Sequence, residues 1–204
     1  ILNQHDTRPG GAWSPQGQDA NSGGIWAPVR LHLSRGATLD ETILQPDWSQ
    51  GLTHPALKAD IRYRALDQGP ATVRLTATPA NFSGRRYQAD FPVTLESGAH
   101  SVQLTLPMPK AKLWWPVGTG KPHLYTIRVA LRDENGLMDT AVTRTGLRKI
   151  VEQPDNKGWL INDKRLFIKG SNYIGSPWLS TMTREKYRRD LRLVEAMNAN
   201  AIRV

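Results

Sequence analysis

The sequence predicts a mainly β fold, in which an immunoglobulin-like antiparallel β-sandwich is followed by one strand–helix–strand unit. Two observations support this prediction. Between residues 28 and 153, short runs of alternating apolar and polar residues recur between turn signals, and no helical period appears among them. After residue 154 the pattern changes to apolar strands on either side of one amphipathic helix.

The first part of the chain, residues 1–27, is rich in Gly, Pro, Asn and Ser, and this composition predicts turns. Residues 29–33 then alternate apolar and polar side chains, which predicts a short strand.

The middle part predicts about seven strands in about 120 residues, which favours an immunoglobulin-type sandwich. An open barrel is the alternative. Asp133-Glu134-Asn135-Gly136 predicts a hairpin turn, because Asn-Gly accepts the positive φ that such turns need. The clearest strand predictions are residues 57–63, 73–77, 102–106, 124–131 and 138–150.

The last part predicts a tight hairpin at residues 162–164 and then a strand–helix–strand unit. Thr183 is the expected N-cap of a helix over residues 184–197, and Asn198 can end that helix in a left-handed conformation. Such a unit makes parallel sheets, and one unit alone cannot bury its strands on both faces. We therefore expect the chain to be a piece of a longer protein, cut just after Arg203.

Composition narrows the class of protein. The chain has no cysteine, which excludes disulfides and thiolate zinc sites, and no apolar run of about 18 residues that could span a membrane. The net charge is +9, but the basic residues are scattered, so we expect a solvated basic surface and no nucleic-acid partner. We expect neither a metal nor a cofactor, because the histidines are widely separated: His5, His32, His54, His100 and His123. The expected location is periplasmic or secreted in preference to cytoplasmic, and the oligomeric state stays open.

Five stretches, in this order along the chain, resemble glycoside hydrolase family 2, especially its β-mannosidase and exo-β-glucosaminidase branches. They are residues 23–29, the Trp-Trp-Pro loop at 113–120, residues 145–150, residues 167–173 and residues 198–204. The resemblance implies three parts: the end of a sugar-binding jelly roll (1–35), the sandwich (36–153) and the start of a (β/α)₈ barrel (154–204).

The resemblance also implies an activity. The parent protein would be a retaining, exo-acting β-glycosidase whose substrate is a terminal β-mannoside, β-glucosaminide or β-galactoside. Its two catalytic glutamates would lie on later barrel strands, so we expect no catalytic residue within this chain and no activity from it alone. The alternative is a non-catalytic immunoglobulin-like module for carbohydrate binding or adhesion, and the sandwich itself can be a spacer.

The resemblance implies substrate-binding residues at the carboxyl ends of the first two barrel strands. Arg203 would lie near the nucleophile and Asn172 would bind sugar hydroxyls, although structural roles are open for both. Trp178 can stack on a sugar ring or pack on the surface. Tyr173 completes the set, but it stands where the β-mannosidase branch commonly has Trp, and Gly175 stands where it commonly has Pro. These departures leave the sugar unidentified.

Trp114 and Trp115 suggest two roles. They can form a carbohydrate-binding platform, or they can pack the sandwich against the barrel, which is the role we expect.

Overall fold

The computed structural model describes residues 29–154, 158–175 and 182–204. Two compact units are present: one is Leu33–Phe167, and the other contains Ile168–Val204. The chain is mainly β and its large sheets are antiparallel, which confirms that part of the prediction. Within the described ranges, no helix is both long and apolar enough to cross a membrane.

Seven antiparallel strands in two sheets form most of the larger unit. The three-stranded sheet has the order β1-β2-β5 and consists of β1 (Ala37–Asp47), β2 (Ala56–Ala65) and β5 (Gly98–Pro107). The four-stranded sheet has the order β4-β3-β6-β7 and consists of β3 (Gly69–Pro79), β4 (Tyr87–Leu95), β6 (Tyr125–Asp133) and β7 (Gly136–Thr145).

The core lies between these sheets, and the alternation of apolar residues places it there. Leu57, Ala59 and Ile61 of β2 are buried in the core, while the alternate residues Lys58 and Arg62 are exposed. Buried apolar side chains of both sheets form a single cluster. Each such Leu or Ile contributes about 1.5–3 kcal/mol to the stability of the fold.

The edge strands β1 and β7 belong to different sheets, and polar contacts link them. The buried carboxylate of Asp139 accepts a hydrogen bond from the Leu39 amide at 2.7 Å. Just before β1, the Arg35 amide donates to the Met138 carbonyl of β7 at 3.0 Å, and the Arg35 guanidinium pairs with Asp133 at the end of β6. The ladder of β1 carries a register shift at Leu39, so the strand bends where it meets β7.

Two strand predictions are wrong. Residues 29–33 form no strand, because no described strand pairs with them, and Val29, Leu31 and Leu33 are each at least 80% exposed. The strand predicted over 138–150 ends at Thr145, and residues 146–149 form a connection to the short strand β8 (Ile150–Glu152).

A small third sheet, with the order β10-β9-β8, follows the sandwich within the larger unit. It consists of β8, β9 (Trp159–Ile161) and β10 (Lys164–Leu166). Asn162 and Asp163 connect β9 to β10 with φ values of 51° and 63°. Two consecutive positive φ values define a type I′ turn, so the tight hairpin predicted here is confirmed. The domain boundary predicted at residues 153–154 stays a prediction.

Candidate functional site

The second unit holds a parallel strand pair joined through a helix. Its elements are β11 (Gly170–Asn172), α1 (Arg184–Ala196) and β12 (Ala201–Arg203). The strands pair in parallel with Gly170 opposite Ala201 and Asn172 opposite Arg203. Because both strands run in the same direction, Asn172 and Arg203 end their strands side by side, with Cα atoms about 5 Å apart.

The helix begins and ends where local chemistry predicts. The Thr183 hydroxyl accepts a hydrogen bond from the Lys186 amide at 3.3 Å, which caps the first turn. Asn198 has φ 57° and donates its amide to the Glu195 carbonyl, while the Ala199 amide reaches back to the Val194 carbonyl. These two bonds form a Schellman motif, so both predicted ends of the helix are confirmed.

Two features fix the register of the strand pair. A Cβ atom on Gly170 would lie 2.1 Å from the Ala201 carbonyl oxygen, so only glycine allows this close approach. Asn200 binds both backbone groups of Lys169. The side-chain oxygen of Asn200 accepts from the Lys169 amide at 2.9 Å, and the backbone amide of Asn200 donates to the Lys169 carbonyl at 2.8 Å. Together these contacts place Asn172 beside Arg203.

Asn172 and Arg203, the main predicted site residues, are both exposed. Among the described residues, neither side chain has a hydrogen bond to another side chain, and no carboxylate pairs with Arg203. The guanidinium can therefore bind a carboxylate through two parallel hydrogen bonds, and the Asn172 amide can donate to and accept from hydroxyl groups. Their substrate-binding role stays a prediction.

Tyr173 has a side chain that is engaged with the helix. Its hydroxyl donates to Asp190 Oδ2 at 2.9 Å, and its ring centroid lies 6.5 Å from that of Tyr187. Removal from water, reinforced by the bond to Asp190, raises the pKa of Tyr173. The hydrogen bond from Tyr173, together with Arg189, lowers the pKa of Asp190. Asp190 was missed by the sequence analysis; its only signal is an acid on the apolar face of the helix, three residues after Tyr187.

The predicted stacking residue Trp178 lies outside the described residues. In the described part of the chain, no group of three or more His, Asp or Glu side chains could hold a metal ion.

The Trp-Trp-Pro loop packs within the larger unit. A Cβ atom on Gly146 would lie 2.7 Å from the Trp114 side chain, and the Arg148 guanidinium carbon lies 4.9 Å from the centre of that ring. Trp115 packs in the same way on Gly120, with Lys164 Nζ 5.2 Å from its ring centre. Each ring therefore has a packing role between a glycine and a cation, while the predicted contact with a barrel stays a prediction.

The chain thus joins an antiparallel sandwich to a parallel strand–helix–strand unit that presents polar side chains at its strand ends. The sequence model described as glycosyl hydrolases family 2 matches residues 37–148, and the chain belongs to this family.

Relatives of known description match almost the whole chain. A mannosylglycoprotein endo-beta-mannosidase of Lilium longiflorum is 26% identical over 94% of this chain and 21% of its own length. A beta-mannosidase B of Aspergillus flavus is 27% identical over 94% of this chain and 22% of its own length. Among solved structures, a beta-D-mannosidase from Dictyoglomus thermophilum superposes with a TM-score of 0.71 at 26% identity, covering 83% of this chain and 21% of that one. The chain spans about a fifth of the length of these relatives.

Proposed function

We propose that this chain is part of a retaining, exo-acting β-glycosidase, in which it supplies the immunoglobulin-like sandwich and the first strand–helix–strand unit of a (β/α)₈ barrel. The observation that carries the proposal is the parallel pair β11–β12, which brings Asn172 and Arg203 together at its carboxyl end. Active sites of such barrels form at this end of the strands.

In this proposal the chain supplies binding and electrostatic groups, and the rest of the protein supplies the catalytic carboxyl groups. A retaining glycosidase needs two carboxyl groups about 5–5.5 Å apart, one as nucleophile and one as acid/base. The exposed guanidinium of Arg203 can hold the nucleophile ionised and oriented, and Asn172 can bind a hydroxyl of the sugar. No catalytic residue is assigned within residues 1–204.

The proposed substrate is a terminal β-mannoside, with β-glucosaminide and β-galactoside as the other sugars to compare. The names of the two curated relatives and of the solved β-D-mannosidase support mannose. Because one of those names is that of an endo-enzyme, the mode of attack needs its own measurement. An oligosaccharide labelled at its reducing end distinguishes exo from endo cleavage, and NMR of the first-formed anomer distinguishes retention from inversion.

The central experiment replaces Arg203 in the full-length protein and follows hydrolysis of aryl β-mannoside. We expect Arg203→Ala to lower kcat/KM about 100-fold or more, because a bidentate charge contact in the site is lost. Arg128→Ala is the matched control, since Arg128 is also an exposed strand arginine but lies on the sandwich. Equal activity of the two variants would remove Arg203 from the site, and no hydrolysis of any of the three β-glycosides by the full-length protein would contradict the function itself.

The alternative of a free-standing adhesion module requires residues 154–204 to complete the sandwich. The helix α1 between two parallel strands argues against that arrangement. The 204-residue chain alone should release no aglycone from aryl β-mannoside or β-glucosaminide, whereas binding of oligosaccharides to the sandwich would give it more than a spacer role.

A further inference from the structure

We infer that Asp190 is a positioning residue, which acts through the hydroxyl of Tyr173 to hold Asn172 and Arg203 in their places at the end of β11 and β12. The inference rests on the proposed function, because it concerns the same site. It also assigns Tyr173 a role different from direct contact with the sugar.

Tyr173 is tied to two elements at once. Its backbone amide donates to the Arg203 carbonyl at 2.8 Å, which extends the parallel pair by one bond past Asn172. Its hydroxyl donates to Asp190 Oδ2 at 2.9 Å on α1. Tyr173 is therefore bonded to β12 through its backbone amide and to α1 through its side chain. Because Tyr173 directly follows Asn172, a shift of α1 is transmitted to the ends of both strands.

Gly175 provides the space that this link needs. A Cβ atom at position 175 would lie 3.0 Å from the Tyr173 hydroxyl and 2.8 Å from the Met182 methyl carbon. Such separations are shorter than ordinary van der Waals contacts. The absence of a side chain at Gly175 therefore leaves the space in which the Tyr173 hydroxyl reaches the helix.

Asp190 is suited to hold the hydroxyl in one place. It is half-buried, and its other oxygen, Oδ1, accepts from the Arg189 guanidinium at 3.1 Å. With both oxygens engaged, the carboxylate is fixed as a hydrogen-bond acceptor. A tyrosine hydroxyl donates one hydrogen, and here that hydrogen is used by Asp190, so it is not available to a sugar.

The test compares Tyr173→Phe, Asp190→Ala and Asp190→Asn in the full-length enzyme on aryl β-mannoside, at a temperature well below the unfolding midpoint. We expect Tyr173→Phe and Asp190→Ala each to lower kcat about 10-fold with KM changed less than about twofold, because misplaced groups cost rate in the transition state. Asp190→Asn keeps an oxygen acceptor and should retain kcat within about threefold. The double variant Tyr173→Phe/Asp190→Ala should be no slower than the slower single variant, since both remove one shared contact.

Glu195→Ala removes an exposed acid of the same helix that has no bond to Tyr173, so this matched control should leave both kinetic constants unchanged. Multiplicative losses in the double variant, or a higher KM at unchanged kcat in Tyr173→Phe, would overturn the inference. If Asp190→Ala does not fold, the inference is tested by the other two variants: kcat should fall in Tyr173→Phe and be nearly retained in Asp190→Asn. Loss of activity in Arg203→Ala together with full activity in Tyr173→Phe would contradict the positioning role of Asp190 but would not contradict the proposed function.

Discussion

Asn162 allows a sharp test of how the hairpin β9–β10 is attached to the sandwich. Asn162 is only 3% exposed; its Oδ1 accepts from the Lys149 amide at 2.9 Å and its Nδ2 donates to the Trp114 carbonyl at 3.0 Å. Asn162→Gly keeps the φ of 51° accessible and removes only these two bonds. Each backbone group left unpaired costs about 1–3 kcal/mol, so we expect a loss of about 3 kcal/mol in the free energy of unfolding.

The neighbouring residue gives the matched control. Asp163 lies in the same turn with φ 63°, but its carboxylate is exposed and, among the described residues, pairs with Lys149 Nζ at 2.7 Å. Asp163→Gly should change stability by no more than about 1 kcal/mol, because exposed ion pairs contribute little. Urea unfolding followed by tryptophan fluorescence measures both variants, since Trp114 lies at the affected contact. A midpoint for Asn162→Gly equal to that of Asp163→Gly would refute the assignment of Asn162 as an anchor.

Three further predictions concern other parts of the chain. Gly170→Ala places a methyl group against the Ala201 carbonyl and should open the parallel pair, which would be measured as faster amide exchange along β11. Gly69 has open space around it, so Gly69→Ala should leave amide exchange unchanged. Thr183→Ala should destabilise α1 by about 1 kcal/mol, measured by exchange in its first turn, and Thr183→Ser should restore the cap. Burial raises the pKa of Tyr125 to about 12. Because the fold favours the neutral phenol, the contribution of Tyr125 to the free energy of unfolding should be fully present below about pH 10. It should be lost as the pH rises from about 10 to 12. Alkaline unfolding of Tyr125→Phe should lack this part of the pH dependence, and an unchanged profile would contradict the assignment.

The features that the sequence predicts best depend on neighbours along the chain. Thr183 and Asn198 act on backbone groups within four residues, so the ends of α1 follow from local chemistry. The turn at Asn162 and Asp163 is predicted for the same reason, because Asn and Asp tolerate positive φ.

The strands that the sequence misses depend on distant partners. In β1 a register shift at Leu39 interrupts the alternation that would have marked the strand. In β4 Pro92 weakens the strand signal, although the strand lies at the edge of its sheet, where proline is tolerated. Residues 29–33 show the opposite case, since they alternate well but have no described strand beside them.

The candidate site also contains one feature that the sequence pattern predicts and one that depends on packing. The side-by-side placement of Asn172 and Arg203 follows from the parallel pairing that a strand–helix–strand pattern predicts. The bond between Tyr173 and Asp190 does not follow from that pattern, because it depends on how the helix packs, and the two residues lie 17 positions apart in sequence.

The strand order of the four-stranded sheet also has a consequence for biosynthesis. The inner strand β3 can pair with β4 once that hairpin has left the ribosome, but its other neighbour, β6, begins roughly 45 residues after the end of β3. At a synthesis rate of about 5–20 residues per second, β3 keeps an open hydrogen-bonding edge for roughly 2–9 seconds. During this interval the backbone groups of β3 that later pair with β6 have no strand beside them, so the nascent chain is exposed to mispairing at this edge.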